Sequence, residues 1–217
     1  CEMLGLKNRS NLITGFPGSD ENDVAETLET LDYAMPFYPL KAVRFWLGLG
    51  SPVWKNYREF NIKSIRNHPG YGMLFPNKVI KNLELIIQAY RGDVTWQKKV
   101  WRPVEKKIEQ WRKQYAAMHV DPRSKPILSF QDGGTFLIIR QRKHRAESET
   151  HRLTGLSRDI YLFCQTNRYL KRILTAFPGS TAEKILPFLR MMIDKRLMFN
   201  EKNRYLSLAA PEFILNP

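Results

Sequence analysis

The sequence predicts a mixed fold in two parts: an α/β segment built on a parallel strand–helix–strand crossover, then an α+β domain with the element order of a winged helix. Three observations carry this. Residues 10–16 and 41–49 are apolar runs separated by a helical pattern, and parallel strands need such a crossover. Residues 93–118 form a long basic helical pattern, after which the proline-bounded stretch 121–126 reads as a linker. Residues 156–208 read as three helices followed by a hairpin. The expected domains are therefore residues 1–120 and 121–217.

Taken in order, the strand at 10–16 is broken by Pro17 and Gly18. Ser19 and Asp20 are N-cap candidates, and Asp20, Glu21, Asp23 and Glu26 put negative charge at the start of a helix. Val24, Leu28 and Leu31 continue it at helical spacing, and it ends before Pro36. Residues 41–49 read as one buried strand, closed by the turn residues Gly50, Ser51 and Pro52. Residues 52–76 read as a long irregular loop rich in aromatics (Trp54, Tyr57, Phe60, Tyr71, Phe75), and loops of that length are usually functional or lids. Val79, Leu83, Ile86 and Ile87 predict a helix over 77–90, ended by Gly92.

In the long basic helix, Trp96, Val100, Val104, Ile108, Trp111 and Tyr115 recur every three or four residues, with Lys98, Lys99, Lys106, Lys107, Arg112 and Lys113 filling much of the rest, and Pro103 should bend or split it. The stripe reads as a packing face; a basic helix with interleaved tryptophans also suits an anionic partner. Asp132-Gly133-Gly134 between residues 127–131 and 135–141 predicts a hairpin. The basic run from Arg140 and Arg142 to Arg145 is either a solvated hairpin end or an anion-binding strip. Helices are expected at 156–164 and 168–177. Ser180 to Glu183 form a capping box opening a third, whose apolar face is Ile185, Phe188, Leu189, Met192 and Ile193, with a kink at Pro187. A second hairpin joins 197–199 to 205–208.

Composition narrows the function. The net charge is +14, and residues 93–217 carry 24 Lys and Arg against 12 Asp and Glu. Such a surface favours anionic partners: nucleic acid, an acidic peptide or an acidic subunit. No run of about 18 apolar residues marks a membrane span, and no signal peptide is visible, so a reducing cytoplasm is expected. The chain opens at Cys1 without an initiator methionine, which points to a fragment. Cys1 and Cys164 match no metal or redox spacing, and His68, His119, His144 and His151 are not at ligand spacing to one another. No phosphate-binding loop, zinc-protease motif or nucleophile elbow is present.

The most informative segment runs from Asn11 to Gly18. An apolar strand entering a Gly-Phe-Pro-Gly turn lets the backbone approach a ligand closely. This segment resembles the fifth-strand motif of radical S-adenosylmethionine (SAM) enzymes, Asn-x-Ile-x-Gly-Phe-Pro-Gly-Glu, matching at Asn11, Ile13, Gly15, Phe16, Pro17 and Gly18 and departing at Ser19. The stretch from Pro36 to Pro76 is similar to the cobalamin-domain branch of that family, which modifies ribosomally made peptides. The matching residues are Pro36, then Arg44 and Phe45, then Ser51 and Pro52, and then 71–76 from Tyr71 to Pro76, with 46–50 inserted. Residues 138–142, 151–155 and 204–208 also resemble that branch's tail.

The resemblance implies a partial β/α barrel and a peptide C-methyltransferase-like activity using SAM, a 4Fe–4S cluster and cobalamin. It places Asn11, Ile13, Gly15, Phe16, Pro17 and Ser51 on the SAM side. Arg44, Tyr71, Arg140 and Arg142 fall to the peptide or its acidic leader. It assigns no catalytic or metal-ligating residue to this chain. Cys-x-x-x-Cys-x-x-Cys, which holds the cluster through thiolates, is missing, so the cluster is expected from upstream domains or a partner subunit. The competing expectation is a stand-alone basic winged-helix module for nucleic acid or an acidic protein.

Overall fold

Asn11–Thr14 (β1) and Lys41–Arg44 (β2) pair in parallel, Asn11 beside Lys41 and Thr14 beside Arg44, in the computed structural model, which describes residues 6, 8–119, 126–143 and 148–212. Between them runs Glu21–Ala34 (α1). Its start is fixed as the acidic run suggests. Asp20 Oδ1 accepts from the amides of Asn22 and Asp23, at 2.8 and 3.1 Å, while the Asp20 amide donates to Asp23 Oδ2 at 2.8 Å. This reciprocal arrangement is a capping box. The expected crossover is present.

The chain divides into two compact units, one of Arg9–Glu29 and Leu40–Gln110, the other of Cys1–Asn8, Thr30–Pro39 and Trp111–Pro217. In the first, several expectations are corrected. Residues 41–49 are not one strand: Leu47–Gly48 (β3) belongs to a different sheet from β2. The 52–76 stretch is not irregular. It holds Pro52–Lys55 (α2), 3-10 turns at Tyr57–Phe60 and Pro69–Met73, and Ser64–Asn67 (β4). The helix expected over 77–90 is one turn, Asn77–Ile80 (α3), followed by Ile87–Arg91 (β5), the centre of an antiparallel sheet ordered β3-β5-β4.

The cause of that last correction is a side chain on a neighbouring strand. Asn67 Nδ2 donates to the carbonyls of Ile80 (3.1 Å) and Leu83 (2.6 Å), and its Oδ1 accepts from the Leu85 amide at 2.9 Å. These bonds satisfy backbone groups that a continuing helix would have paired internally. Leu47, Val53 and Ile62 form the small core here, with Phe16, Phe45, Phe60 and Tyr90 packed on it.

The basic helix divides as Pro103 predicts, into Val94–Val100 (α4) and Arg102–Met118 (α5). Pro103 sits in the first turn of α5, where its missing N–H costs nothing. In α4 the buried face is shifted by one residue from the expected stripe: Trp96 is 41 % exposed, whereas Gln97 is 2 % exposed. Val104, Ile108 and Trp111 are buried as expected.

In the second unit, Leu128–Asp132 (β6) and Phe136–Arg142 (β7) form the predicted hairpin. The sheet then extends further than expected. Ser148–Thr154 (β8) pairs along all of β7, and Ala210–Pro211 (β12) adds in parallel to β6. Gly155–Phe163 (α6) comes next. Residues 168–177 are not all helix, because Arg168–Tyr169 (β9) precede Leu170–Ala176 (α7). Ala182–Asp194 (α8) starts at Thr181 without a side-chain cap bond, so the expected capping box is not formed. Pro187 lies within α8. Met198–Glu201 (β10) and Arg204–Ser207 (β11) are the second hairpin, and β9 joins them in the order β10-β11-β9. Lys202 and Asn203 both have positive φ (48° and 62°), as the two-residue turn that matches strand twist requires.

Sheet and helices of this unit share a core. Leu128, Leu137, Ile139 and Leu153 from the sheet meet Ile160, Tyr161, Ile173, Ile185, Leu189 and Met192 from the helices. The described strands thus make four separate sheets, and among them none closes into a barrel. No described helix is long and apolar enough to cross a membrane.

A partly buried histidine gives this unit a pH dependence. On β8, burial holds the His151 imidazole below its ordinary pKa of 6.5; Lys195 adds to this and Glu149 opposes it. The folded state therefore favours the neutral ring. Below about pH 6.5 the unfolded chain binds a proton that the folded chain refuses, so stability falls as pH falls toward the lowered pKa. Thermal melts between pH 7.5 and 5 should show a decline, and His151→Gln should flatten it.

Candidate functional site

At the C-terminal end of β1 the chain must turn sharply, and Gly15 and Gly18 do so at φ of 70° and 80°, a region that side-chain-bearing residues avoid. Pro17 between them is buried. The Phe16 ring packs edge-on against Phe45 and Phe60, at centroid distances of 4.9 and 5.8 Å.

The turn is held by residues far away in sequence. Gln97 Nε2 donates to the Ser19 carbonyl and to Asp93 Oδ2, both at 2.8 Å. Ser19 Oγ lies 2.9 Å from Gln97 Oε1 and 2.7 Å from the Phe16 carbonyl, and accepts from Trp101 Nε1 at 2.9 Å. The Gly18 amide donates to Asp93 Oδ2 at 3.2 Å. Turn and helix α4 are therefore tied by one polar network whose centre, Gln97, is closed to solvent.

Beside the turn lies a small cavity of about 80 Å³ lined by Thr14, Gly15, Phe45, Tyr90, Gln97 and Trp101, with Arg44, Lys98 and Glu105 at its edge. Those three edge residues also line a wider cleft of about 320 Å³, completed by Thr95, Lys99 and Arg102. Arg44 and Glu105 form an ion pair at 3.5 Å. Burial and then the Asp93 charge raise the Tyr90 pKa, so its phenol stays a proton donor.

Of the residues expected on the SAM side, Asn11, Ile13, Gly15, Phe16 and Pro17 are together on β1 and its turn. Asn11 and Ile13 are exposed, Ile13 by 54 %. Ser51 caps α2, accepting from the Trp54 amide at 3.1 Å. Of the peptide-side residues, Arg44 edges the cleft. Tyr71 accepts from the Ile87 amide at 3.0 Å and so braces β5. Arg140 and Arg142 stand in the other unit on β7, where Arg140 pairs with Glu212 at 3.0 Å and the Arg142 amide donates to the Ile127 carbonyl at 2.8 Å. His144 and Arg145 of the basic strip, and the linker at 121–125, lie outside the described residues.

Sequence reasoning missed Thr14, Asp93, Gln97 and Trp101. The only local signal was a glutamine on the inward side of an otherwise basic helix, one residue after the tryptophan that spacing favoured.

What this fold defines is a mixed α/β chain of several small sheets with a glycine-turn cleft at the end of a parallel strand pair. No family model matches the chain, and neither a curated protein nor a solved structure shows significant similarity to it.

Proposed function

We propose that this chain is the C-terminal part of a radical SAM enzyme, cobalamin-dependent and acting on a peptide, in which the β1 turn forms part of the SAM pocket. The observation that carries this is the turn itself: a parallel β/α crossover whose first strand ends in Gly15-Phe16-Pro17-Gly18, with both glycines at positive φ and Ile13 exposed next to them. An exposed aliphatic side chain beside bare backbone fits the face of an adenine. In this reading β1 and β2 are part of a β/α barrel.

The cluster does not fit the described residues. Among them no three His, Cys, Asp or Glu side chains gather to hold a metal ion. Cys164 is buried in the core, where burial pushes its thiol up to about 12. In this reading the cluster and the cobalamin are held by other domains or by a partner subunit.

In the second unit, α6, β9, α7, α8 and the β10–β11 hairpin succeed one another, and β9 pairs with β11. That order supports a winged helix, and its basic surface suits an acidic leader peptide. The same observation supports a second reading, in which α8 presents Lys184, Arg190 and Lys195, all exposed, to nucleic acid.

The intact mass of the native gene product, measured from source cells together with any co-purifying chain, tests the first reading. A product well above 25.5 kDa, or a partner, that carries the cysteine triplet is expected. A lone chain of that mass would overturn it. Duplex-DNA affinity across a salt series tests the second, since phosphate contacts give a steep slope.

A further inference from the structure

Four cations and one acid line the wider cleft: Arg44, Lys98, Lys99 and Arg102 against Glu105. Arg44 comes from the end of β2, and the others come from α4 and the first turns of α5. The surplus of positive charge therefore converges from two separate parts of the chain. The inner cavity adds a second, independent feature. Thr14 is 1 % exposed and lines it, yet its Oγ1 has no hydrogen-bond partner among the described residues. A buried hydroxyl left unpaired costs about 1–3 kcal/mol, and valine would fill the same space without that cost. The hydroxyl therefore calls for a ligand acceptor. Tyr90 brings a phenol to the same cavity, and Phe45 and Trp101 give it apolar walls.

We propose that the small cavity and the cleft, which share Arg44, Lys98 and Glu105, bind the phosphate group of a small ligand, its oxygens taken by the Arg44 and Lys98 cations and the Thr14 hydroxyl, with Lys99 and Arg102 of the cleft adding positive charge beside them. The charge decides the class. A dianionic phosphate matches an excess of three positive charges better than a single carboxylate does, and its several acceptor oxygens can meet guanidinium, ammonium and hydroxyl donors together. The Arg44–Glu105 pair leaves room for this, because Arg44 is 55 % exposed and contacts Glu105 at 3.5 Å. The site does not rest on the radical SAM reading, and all of its residues belong to one compact unit.

Calorimetric titration of the 217-residue chain with inorganic phosphate, at fixed ionic strength and with acetate as the control anion, tests the proposal. Saturable binding of phosphate in preference to acetate is expected. Lys98→Glu combined with Arg102→Glu, both exposed positions, should weaken it by about a hundredfold, and Thr14→Val by about tenfold. Without phosphate, Thr14→Val should melt at or above the parent temperature, because it breaks no existing hydrogen bond. Absence of saturable binding, equal binding of acetate, or a Thr14→Val chain that binds phosphate as the parent does would overturn it.

Discussion

Trp111→Ala should lower the unfolding free energy by about 3–5 kcal/mol, the range for removing a large aromatic from a closed core. Trp111 is 1 % exposed. It also holds distant parts of the chain together: its Nε1 donates to the carbonyls of Met35 at 3.0 Å and Phe37 at 3.1 Å. Those residues come after the last turn of α1, where Pro36 prevents the backbone from closing another turn. Alanine would leave a cavity and strip two carbonyls of their donor. Urea unfolding monitored by circular dichroism measures the cost. Trp111→Phe, which keeps most of the apolar volume but loses the N–H, should fall between parent and alanine variant. A loss below about 1 kcal/mol for alanine would mean the site collapses or stays open to water.

Gln97→Leu should cost about 2–3 kcal/mol although leucine is the more apolar residue, because it leaves the Ser19 carbonyl and the Asp93 carboxylate short of donors in a closed site. Gln97→Glu separates geometry from charge. It keeps the shape and sets two carboxylates where the amide and Asp93 Oδ2 now stand 2.8 Å apart. That variant should be weakest near neutral pH and recover as the pH is lowered and a proton is shared. Chemical denaturation at pH 7 and pH 5 distinguishes the two. Equal stability of the glutamate variant at both values would show that the network is open to water.

Much of the fold was legible because it is carried by short-range signals. The acidic start of α1, the Asp132-Gly133-Gly134 turn and the helical spacing of Ile185, Phe188, Leu189 and Met192 each lie within a few residues of what they specify. The misread stretches share a different cause. Val79, Leu83 and Ile86 imitate a helix face, but they are exposed by 41, 47 and 77 %. Asn67 captures the backbone between them, and Ile87–Arg91 takes the centre of a sheet instead. Periodicity reports a face only if something covers it. For the site, the glycine turn was visible in the sequence because glycine and proline announce backbone shape. Its clamp was not, because Ser19 and Gln97 are 78 residues apart and nothing local marks either as the other's partner.

That separation also sets the order in which the molecule is made. A ribosome adds roughly 5–20 residues per second, so the turn at residues 15–19 is synthesised about 4–16 s before its clamp. Within that interval the Phe16 ring gains Phe45 and Phe60, but the bare glycine turn still lacks the Asp93 and Gln97 bonds that fix it. Closing a loop of this length must precede any reward from the contacts it brings. The clamped turn is therefore a late product of folding, and a nascent chain stalled before Asp93 would carry strand β1 and helix α1 with the turn between them still unclamped.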